Sequence, residues 1–135
     1  MKKYFVIILG IVMLLGITAC NKSNENLEDF DLTATAWADN EGTLSVMFLI
    51  NDGISMAASK DDYVFVQGTC SAKGNTIKAT FTDRQDGLGS PIKTLDKPLD
   101  VTFKFNLSKD HKTATIPGGL GFLGYKSSVS LKRVR

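Results

Sequence analysis

Two short patterns in this sequence match motifs that carry cofactor or catalytic chemistry elsewhere. Gly119, Gly121 and Gly124 have the spacing of the dinucleotide-binding fingerprint, in which the last glycine opens a helix whose N-terminus receives a pyrophosphate. Eleven residues follow Gly124 and their pattern predicts a strand, so we expect no nucleotide site. Ser90 and Lys93 fit the Ser-x-x-Lys pattern of penicillin-recognising enzymes, but the companion motifs are absent. We interpret both segments as loop sequence.

The titratable side chains also lack the grouping that catalysis or metal binding needs. His111 is the one histidine of the chain and lies in a Lys-Asp-His-Lys turn, where we expect it to be solvated. The acids Asp61, Asp62, Asp83 and Asp86 do not have the spacing of a calcium-binding loop, and the chain has no cluster of His or Cys. The sequence therefore predicts a protein that is not an enzyme and has no cofactor and no metal site.

The N-terminus has the order of charge and hydropathy that is typical of a secretory leader. Lys2 and Lys3 precede an uncharged apolar run over residues 4–17. A transmembrane helix needs about 20 apolar residues to cross about 30 Å of hydrocarbon, so this run is too short to span a bilayer comfortably. A buried amphipathic helix would show an apolar stripe, which the run lacks. We interpret residues 1–19 as a cleavable signal peptide.

The residues that follow the apolar run indicate the type of leader. Ile17, Thr18, Ala19 and Cys20 resemble the lipobox of bacterial lipoproteins, which is an aliphatic residue, two small residues and a cysteine. The resemblance implies that the Cys20 thiol receives a diacylglyceryl group, that cleavage falls before Cys20, and that the new amine is acylated. Each buried CH₂ contributes about 0.8 kcal/mol, so two or three acyl chains hold a protein durably on a membrane. The expected location is the bacterial cell envelope, at either face of the outer membrane.

Removal of the leader changes the size and charge of the chain that has to fold. Without residues 1–19, 116 residues remain, which suffices for one domain with a core. Two lysines leave with the leader, so 14 basic residues face 14 acidic ones and nucleic-acid binding is not expected. Nine acids accompany one base between Glu25 and Asp62, and no acid follows Asp110. We attribute this asymmetry to strand pairing.

Residues 20–31 consist of the lipidated cysteine and the polar, acidic segment that follows it. The segment is poor in apolar side chains and cannot bury enough surface to order itself, so we interpret it as a flexible tether. The folded domain is then expected over residues 32–135. Its one cysteine, Cys70, alternates with Val66 and Gly68, which favours a small buried hydrophobic residue over a reactive or intermolecular thiol.

The domain shows short runs of alternating apolar and polar residues, separated by residues that favour turns. One clear run is Val101, Phe103, Phe105 and Leu107. No helical stripe is evident after the leader. An antiparallel up-and-down meander closed into a small barrel would remove exposed strand edges, and a two-sheet β-sandwich is the alternative. The predicted strands are 32–38, 43–50, 54–58, 63–72, 76–84, 98–107, 112–117 and 125–134.

The order of strands and hairpins, with Trp37 on the first strand, is similar to that of the small lipocalin-like lipoproteins. This resemblance implies a barrel that can hold a small apolar or amphipathic ligand. We expect Phe48, Phe81, Phe103 and Phe105 to line its interior. Side chains ordinarily fill the interior of a small barrel, so a filled core is the competing hypothesis.

Two apolar loops are the candidate sites for a ligand or a partner. Residues 85–97 form a long predicted connection that carries Leu88 and Ile92, and residues 118–124 carry Leu120, Phe122 and Leu123 on a glycine-rich backbone. In an up-and-down order these loops lie at the same end of the barrel. We expect a protein-interaction module, such as an inhibitor, an immunity protein or an accessory subunit of an envelope complex, that uses these loops. A tethered binder of a small apolar ligand is the alternative.

Overall fold

Ten β-strands and one 3-10 turn form the secondary structure of the computed structural model, which describes Asn24–Glu25 and residues 30–135. No helix in this part of the chain has the length and apolar character needed to cross a bilayer. The strands are β1 (Asn24–Glu25), β2 (Thr35–Asp39), β3 (Leu44–Phe48), β4 (Gly53–Ala58), β5 (Val64–Lys73), β6 (Thr76–Asp86), β7 (Lys93–Lys104), β8 (Asn106–Ser108), β9 (Thr113–Ile116) and β10 (Val129–Arg133), and the 3-10 turn is Gly121–Leu123.

All ten strands belong to one antiparallel sheet in the order β7-β6-β5-β4-β3-β2-β10-β9-β8-β1. The last strand returns to the first strand of the meander, because Leu131 of β10 is opposite Asp39 of β2. In the chain, β7 and β8 are separated by Phe105 alone, although they lie near opposite ends of the sheet. The sheet must therefore curl, because β7 at one end and β8 near the other end are joined directly by a bend at Phe105. This confirms the predicted small barrel-like meander and disfavours the two-sheet sandwich.

The up-and-down order divides the connections between two ends of the barrel. We call these the upper and the lower end. The upper end contains residues 40–43, 59–63, 87–92 and 117–128, and the lower end contains residues 30–34, 49–52, 74–75 and 109–112 together with the C-terminus. Because β9 pairs with β8 and β10 and not with β7, no ladder of hydrogen bonds closes the barrel between β9 and β7.

Three aromatic rings occupy the centre of the core. The Phe105 ring lies edge-on to Trp37 and Phe48, with centroid distances of 5.3 and 5.4 Å. The Trp37 Nε1 donates a hydrogen bond to Thr35 Oγ1 at 2.9 Å, and the Thr35 hydroxyl donates to the carbonyl of Leu32 at 2.6 Å. The polar atoms of this buried group are therefore paired, which avoids the cost of unsatisfied groups in the interior.

The eight predicted strands are present, with different bounds. The largest error is the predicted loop over residues 85–97, because β6 continues to Asp86 and β7 begins at Lys93. The register of this pair shifts between Thr94 and Leu99, so Pro98 lies in a bulge, where its missing N–H breaks no ladder hydrogen bond. Residues 93–98 are rich in charge and contain a proline, so their sequence does not predict a strand.

The alternation of β3 stops earlier than the sequence indicates. Ile50 continues the alternation of Leu44, Val46 and Phe48, which predicts an inward side chain, but this side chain is 69% exposed. The strand ends at Phe48, and Asn51 and Asp52 adopt positive φ angles of 56° and 60°. These angles are typical of the type I′ turn that matches the twist of a tight hairpin, and Ile50 is therefore a turn residue.

Part of the predicted tether contacts the barrel. Asn24–Glu25 form β1, which extends the sheet beyond β8 through the pairs Leu107↔Glu25 and Ser108↔Asn24. Phe30 is half-buried and packs against the core. The chain therefore enters the fold at the lower end, beside β8.

Candidate functional site

The loop over residues 87–92 joins β6 to β7 at the upper end and has a well-defined backbone. The amide of Gly87 donates to the carbonyl of Tyr63 at 2.8 Å, and the amide of Ser90 donates to the carbonyl of Gly87 at 3.2 Å. The Gln85 side chain donates from Nε2 to the carbonyl of Ser90 at 2.7 Å. These bonds fix both sides of the loop to the ends of β5 and β6.

This loop exposes two large apolar side chains. Leu88 is 80% exposed and Ile92 is 52% exposed. Leu88 also lines a shallow hollow of about 280 Å³ with Tyr63, Ala57 and Thr43 at the ends of the neighbouring strands. An apolar side chain from another molecule could contact Leu88 and enter this hollow without moving the loop.

The second predicted loop folds inward. Leu120 and Leu123 are buried, with 2% and 7% exposure, and Phe122 packs on Phe81 with a centroid distance of 5.7 Å. Leu120 forms an isolated bridge with Tyr125, which closes the loop on itself. We call residues 117–128 the plug, because this segment covers the upper end of the core.

Glycine spacing in the plug serves backbone geometry. Gly119 has a φ of 69°, and a Cβ there would lie 2.3 Å from the carbonyl oxygen of Tyr125 and 2.4 Å from that of Ser127. Gly124 has a φ of 92° and follows the 3-10 turn. The fingerprint-like spacing thus forms a three-residue turn next to a strand, and not the helix of a βαβ unit that a pyrophosphate requires.

Tyr125 attaches the plug to two upper-end turns. Its hydroxyl donates to Thr43 Oγ1 at 2.8 Å, and the Thr43 hydroxyl donates to Asp39 Oδ2 at 2.7 Å. The ammonium group of Lys60 lies 5.2 Å from the centre of the Tyr125 ring, within the range of a cation–π contact. Burial raises the pKa of Tyr125, and the carboxylates of Asp39, Glu41 and Asp61 raise it further. The phenol is therefore neutral at physiological pH and acts as a hydrogen-bond donor.

The predicted site residues consequently divide into two groups. The two loops do lie at the same end of the barrel, as the up-and-down order predicts. Leu88 and Ile92 are accessible at the surface, whereas Leu120 and Leu123 belong to the core and Phe122 is half-buried against it. The accessible candidate site is the loop 87–92 with its hollow.

We expect the plug to act in stability. Changing Phe122 and Leu123 together to serine should lower the free energy of unfolding by about 3 kcal/mol, because two apolar side chains lose their burial. Thermal unfolding should then occur at least about 10 °C lower. The matched variant with Leu88 and Ile92 changed to serine should melt near the wild type. Equal melting temperatures for both variants would contradict the assignment of the plug to the core.

The phenylalanines expected to line a ligand cavity fill the interior instead. Phe48, Phe81, Phe103 and Phe105 are all buried and belong to one core cluster. A hollow of about 160 Å³ lies at the lower end, where Cys70 forms part of its lining. This hollow is smaller than the roughly 300 to 1,000 Å³ that is typical of small-molecule sites.

The remaining chemical candidates take structural positions. Cys70 is half-buried, and burial together with the charge of Asp52 raises the pKa of its thiol to about 11, so the unreactive thiol form predominates at neutral pH. His111 occupies the β8–β9 turn with a φ of 62°, and its ring packs on Phe30 at a centroid distance of 4.4 Å. Ser90 lies in a turn and Lys93 begins β7, so the two do not share a helical face.

Three or more metal-ligating side chains do not come together anywhere in the part of the chain that the structure describes. Comparison with known protein families, with curated proteins and with solved structures found no match. The candidate site is therefore defined by its own geometry: an apolar, hydrogen-bonded loop at the upper end, opposite the end at which the N-terminal segment joins the barrel.

One group of surface residues was missed at the sequence level. Lys112, Lys132, Arg133 and Arg135 line one shallow surface at the lower end with the exposed Val134. The excess of bases after Asp110 was the available signal, but it was attributed to strand pairing. Because β9 and β10 pair with each other, their bases meet on one surface.

Proposed function

We propose that this chain is an envelope lipoprotein, anchored through Cys20, that presents the upper end of its barrel to a protein partner. The anchor follows from the charged and apolar leader and from the lipobox resemblance at residues 17–20. The partner is expected to be another envelope protein, so that the domain acts as an inhibitor, an immunity protein or an accessory subunit.

The observation that carries this proposal is the exposure of Leu88 and Ile92 on a hydrogen-bonded loop. Apolar side chains with no internal packing role are typical contacts of binding surfaces. A loop that is already fixed loses little conformational entropy on binding, which favours association. The adjacent hollow beside Tyr63 offers a place for a side chain of the partner.

The alternative, a tethered binder of a small apolar ligand, has less support. Phe81 and Phe105 fill the position that such a ligand would occupy, and the plug covers the upper end of the core. A ligand would have to displace buried aromatic side chains, at a cost of about 1.5 to 3 kcal/mol for each. The packed interior therefore favours the interaction module.

The route of the chain gives the candidate site a suitable orientation. The pairing of β1 with β8 joins the N-terminal segment to the lower end. Loop 87–92 lies at the upper end. A protein anchored near its lower end would direct Leu88 and Ile92 away from the membrane, where another protein can reach them.

The test is affinity capture of the full, anchored protein from its native envelope with the variant Leu88→Ser/Ile92→Ser. We expect any partner bound through this loop to be recovered at least tenfold less, because each lost apolar anchor costs about 1 to 2 kcal/mol. Quantitative mass spectrometry of the captured proteins measures the loss. Mass spectrometry of the captured lipid fraction tests the alternative in the same experiment.

The matched control is Leu49→Ser/Ile50→Ser, which removes two exposed apolar side chains at the lower end. After detergent extraction this control should recover the same proteins as the wild type. If the two double variants recover the same species in the same amounts, the proposed role of loop 87–92 is wrong. Both variants should keep the melting temperature of the wild type.

A further inference from the structure

The lower end of the barrel exposes apolar side chains of its own. Leu49 and Ile50, in the β3–β4 turn, are 39% and 69% exposed, and Val134, next to the C-terminus, is 63% exposed. The backbone of both segments is hydrogen-bonded, since the amide of Gly53 donates to the carbonyl of Ile50 and that of Val134 to Ala36. The backbone therefore keeps these apolar residues at the surface.

A basic surface at the same end of the barrel includes Val134. Lys112, Lys132, Arg133 and Arg135 line one broad, shallow hollow of about 690 Å³, in which Asp110 is the acid. The Asp110 carboxylate accepts hydrogen bonds from the Ser108 hydroxyl at 2.7 Å and from the Lys112 amide at 3.0 Å. These two bonds stabilise the turn between β8 and β9. Within residues 30–135, none of the four cations forms an ion pair with a carboxylate.

Cations outnumber acids when the whole lower end is counted. In residues 30–34, 49–52, 73–76, 104–113 and 132–135 there are seven Lys or Arg, including the four of the basic surface, and three Asp, and β1 adds Glu25. The upper end carries a different balance, with the acids Asp39, Glu41, Asp61 and Asp62 in or next to its turns and the bases Lys60 and Lys126. The nearly neutral mature chain is thus electrically polarised along the barrel axis.

The length of the chain limits the distance between this end and the anchor. Asn24, opposite Ser108, is four residues from Cys20. Four residues span at most about 14 Å when fully extended. A lipid-modified Cys20 lies at the membrane surface. The distance from that surface to the lower end is therefore at most about the thickness of one or two headgroup layers.

We propose that the lower end rests on the membrane that holds the anchor, with Ile50 and Val134 in the headgroup layer and the basic surface against anionic lipid phosphates. Val134 among Lys and Arg, with Ile50 exposed at the same end of the barrel, suits an interface whose outer layer is anionic and whose inner layer is apolar. Each cation near such a surface adds to the attraction. This inference rests on the lipid anchor of the proposed function and adds the orientation of the domain.

The experiment uses the full chain, processed and acylated in bacteria, in vesicles of phosphatidylethanolamine and phosphatidylglycerol. An environment-sensitive fluorophore is attached through Ile50→Cys in a Cys70→Ala background, and through Leu88→Cys as the upper-end control. Lipids that carry a nitroxide quencher in the headgroup region report contact with the membrane. We expect the Ile50 label to be quenched at least threefold more strongly than the Leu88 label.

The basic surface has its own pair of variants. Lys132→Gln/Arg135→Gln should reduce the quenching of the Ile50 label at least twofold in phosphatidylglycerol vesicles, and Lys93→Gln/Lys126→Gln, which removes the same charge at the upper end, should leave it unchanged. In vesicles of phosphatidylcholine alone, quenching of the Ile50 label should fall, because the headgroup attraction is lost.

The outcomes separate the inference from the anchor on which it rests. Acyl chains on Cys20 by mass spectrometry, together with equal quenching at Ile50 and Leu88, would overturn the orientation and leave the anchor intact. A Cys20 without acyl chains would overturn both. Ile50 quenching that is equal in the two lipid compositions would overturn the contact with anionic headgroups. Quenching that appears only at high protein density would assign this surface to a second copy of the chain and overturn the membrane contact.

Discussion

The variant Cys20→Ala should retain its leader and incorporate no labelled fatty acid. The thiol is the atom to which the lipobox resemblance assigns the diacylglyceryl group, and alanine offers no nucleophile there. Cleavage before residue 20 should fail as well, because the lipobox resemblance places the cleavage site at this cysteine. Metabolic labelling with a radioactive fatty acid, and the mobility of the precursor on a gel, measure the two effects.

The control for this result is Cys70→Ala, which removes the other cysteine of the chain. Cys70 is half-buried and its thiol pKa is raised to about 11, so it should contribute nothing to labelling. Normal labelling of Cys20→Ala would refute the lipoprotein assignment, and with it the anchor and the membrane-facing lower end. Loss of labelling in Cys70→Ala would do the same, because it would place the acyl group elsewhere.

Local patterns in the sequence were sufficient to predict the strands and their hairpins. Inward positions such as Phe103, Phe105 and Leu107 alternate with polar residues, and this period of two is set by the pleat of the strand itself. Asn51 and Asp52 favour the positive φ angles of a tight turn, which the structure confirms. Both signals depend on near neighbours in the chain, so they can be recognised in the sequence without knowledge of the fold.

Features that depend on distant parts of the chain were not predicted. The first half of β7 is charged and contains Pro98, but pairing with the strongly patterned β6 keeps it extended. Ile50 matches the alternation of β3, yet the type I′ turn after Phe48 removes it from the ladder. For β7 the pairing with β6 outweighs the local pattern, whereas for Ile50 the turn at Asn51 and Asp52 outweighs the alternation of the strand before it.

The candidate site shows the same limit. Leu88 and Leu120 each lie between two glycines in an apolar loop, and nothing in their immediate sequence distinguishes them. Their positions differ because Leu120 pairs with Tyr125 and its loop packs on the core through Phe122, contacts that the local sequence does not reveal. Leu88 in loop 87–92 stays exposed.

The basic surface of the lower end is also a product of distant pairing. Its residues come from the β8–β9 turn and the C-terminal strand, and Ile50 comes from the other side of β2. Only the return of β10 to β2 makes these segments neighbours. The charge asymmetry visible in the sequence became a surface only through this closure.

Phe105→Ala should have the largest effect on stability of any single substitution considered for the domain. The ring is fully buried at the junction of β7 and β8 and makes edge-on contacts with Trp37 and Phe48. Loss of a buried phenylalanine costs about 3 to 5 kcal/mol, which is a large part of the roughly 5 to 15 kcal/mol that stabilises a typical domain. Chemical denaturation of the purified protein should show the free energy of unfolding fall by that amount, with a correspondingly lower midpoint.

A matched phenylalanine on the outer face tests whether the centre of the barrel is the reason. Phe65 lies on β5, half-buried, next to the inward-facing Val66, so Phe65→Ala should cost about 1 kcal/mol or less. The difference between the two variants measures the packing at Phe105 and not the general loss of an aromatic residue. If the interior instead held an empty ligand cavity beside Phe105, the truncation would enlarge a space that already exists and cost little more than Phe65→Ala. A small loss for Phe105→Ala would therefore contradict the filled core and would support the alternative, a binder of a small apolar ligand.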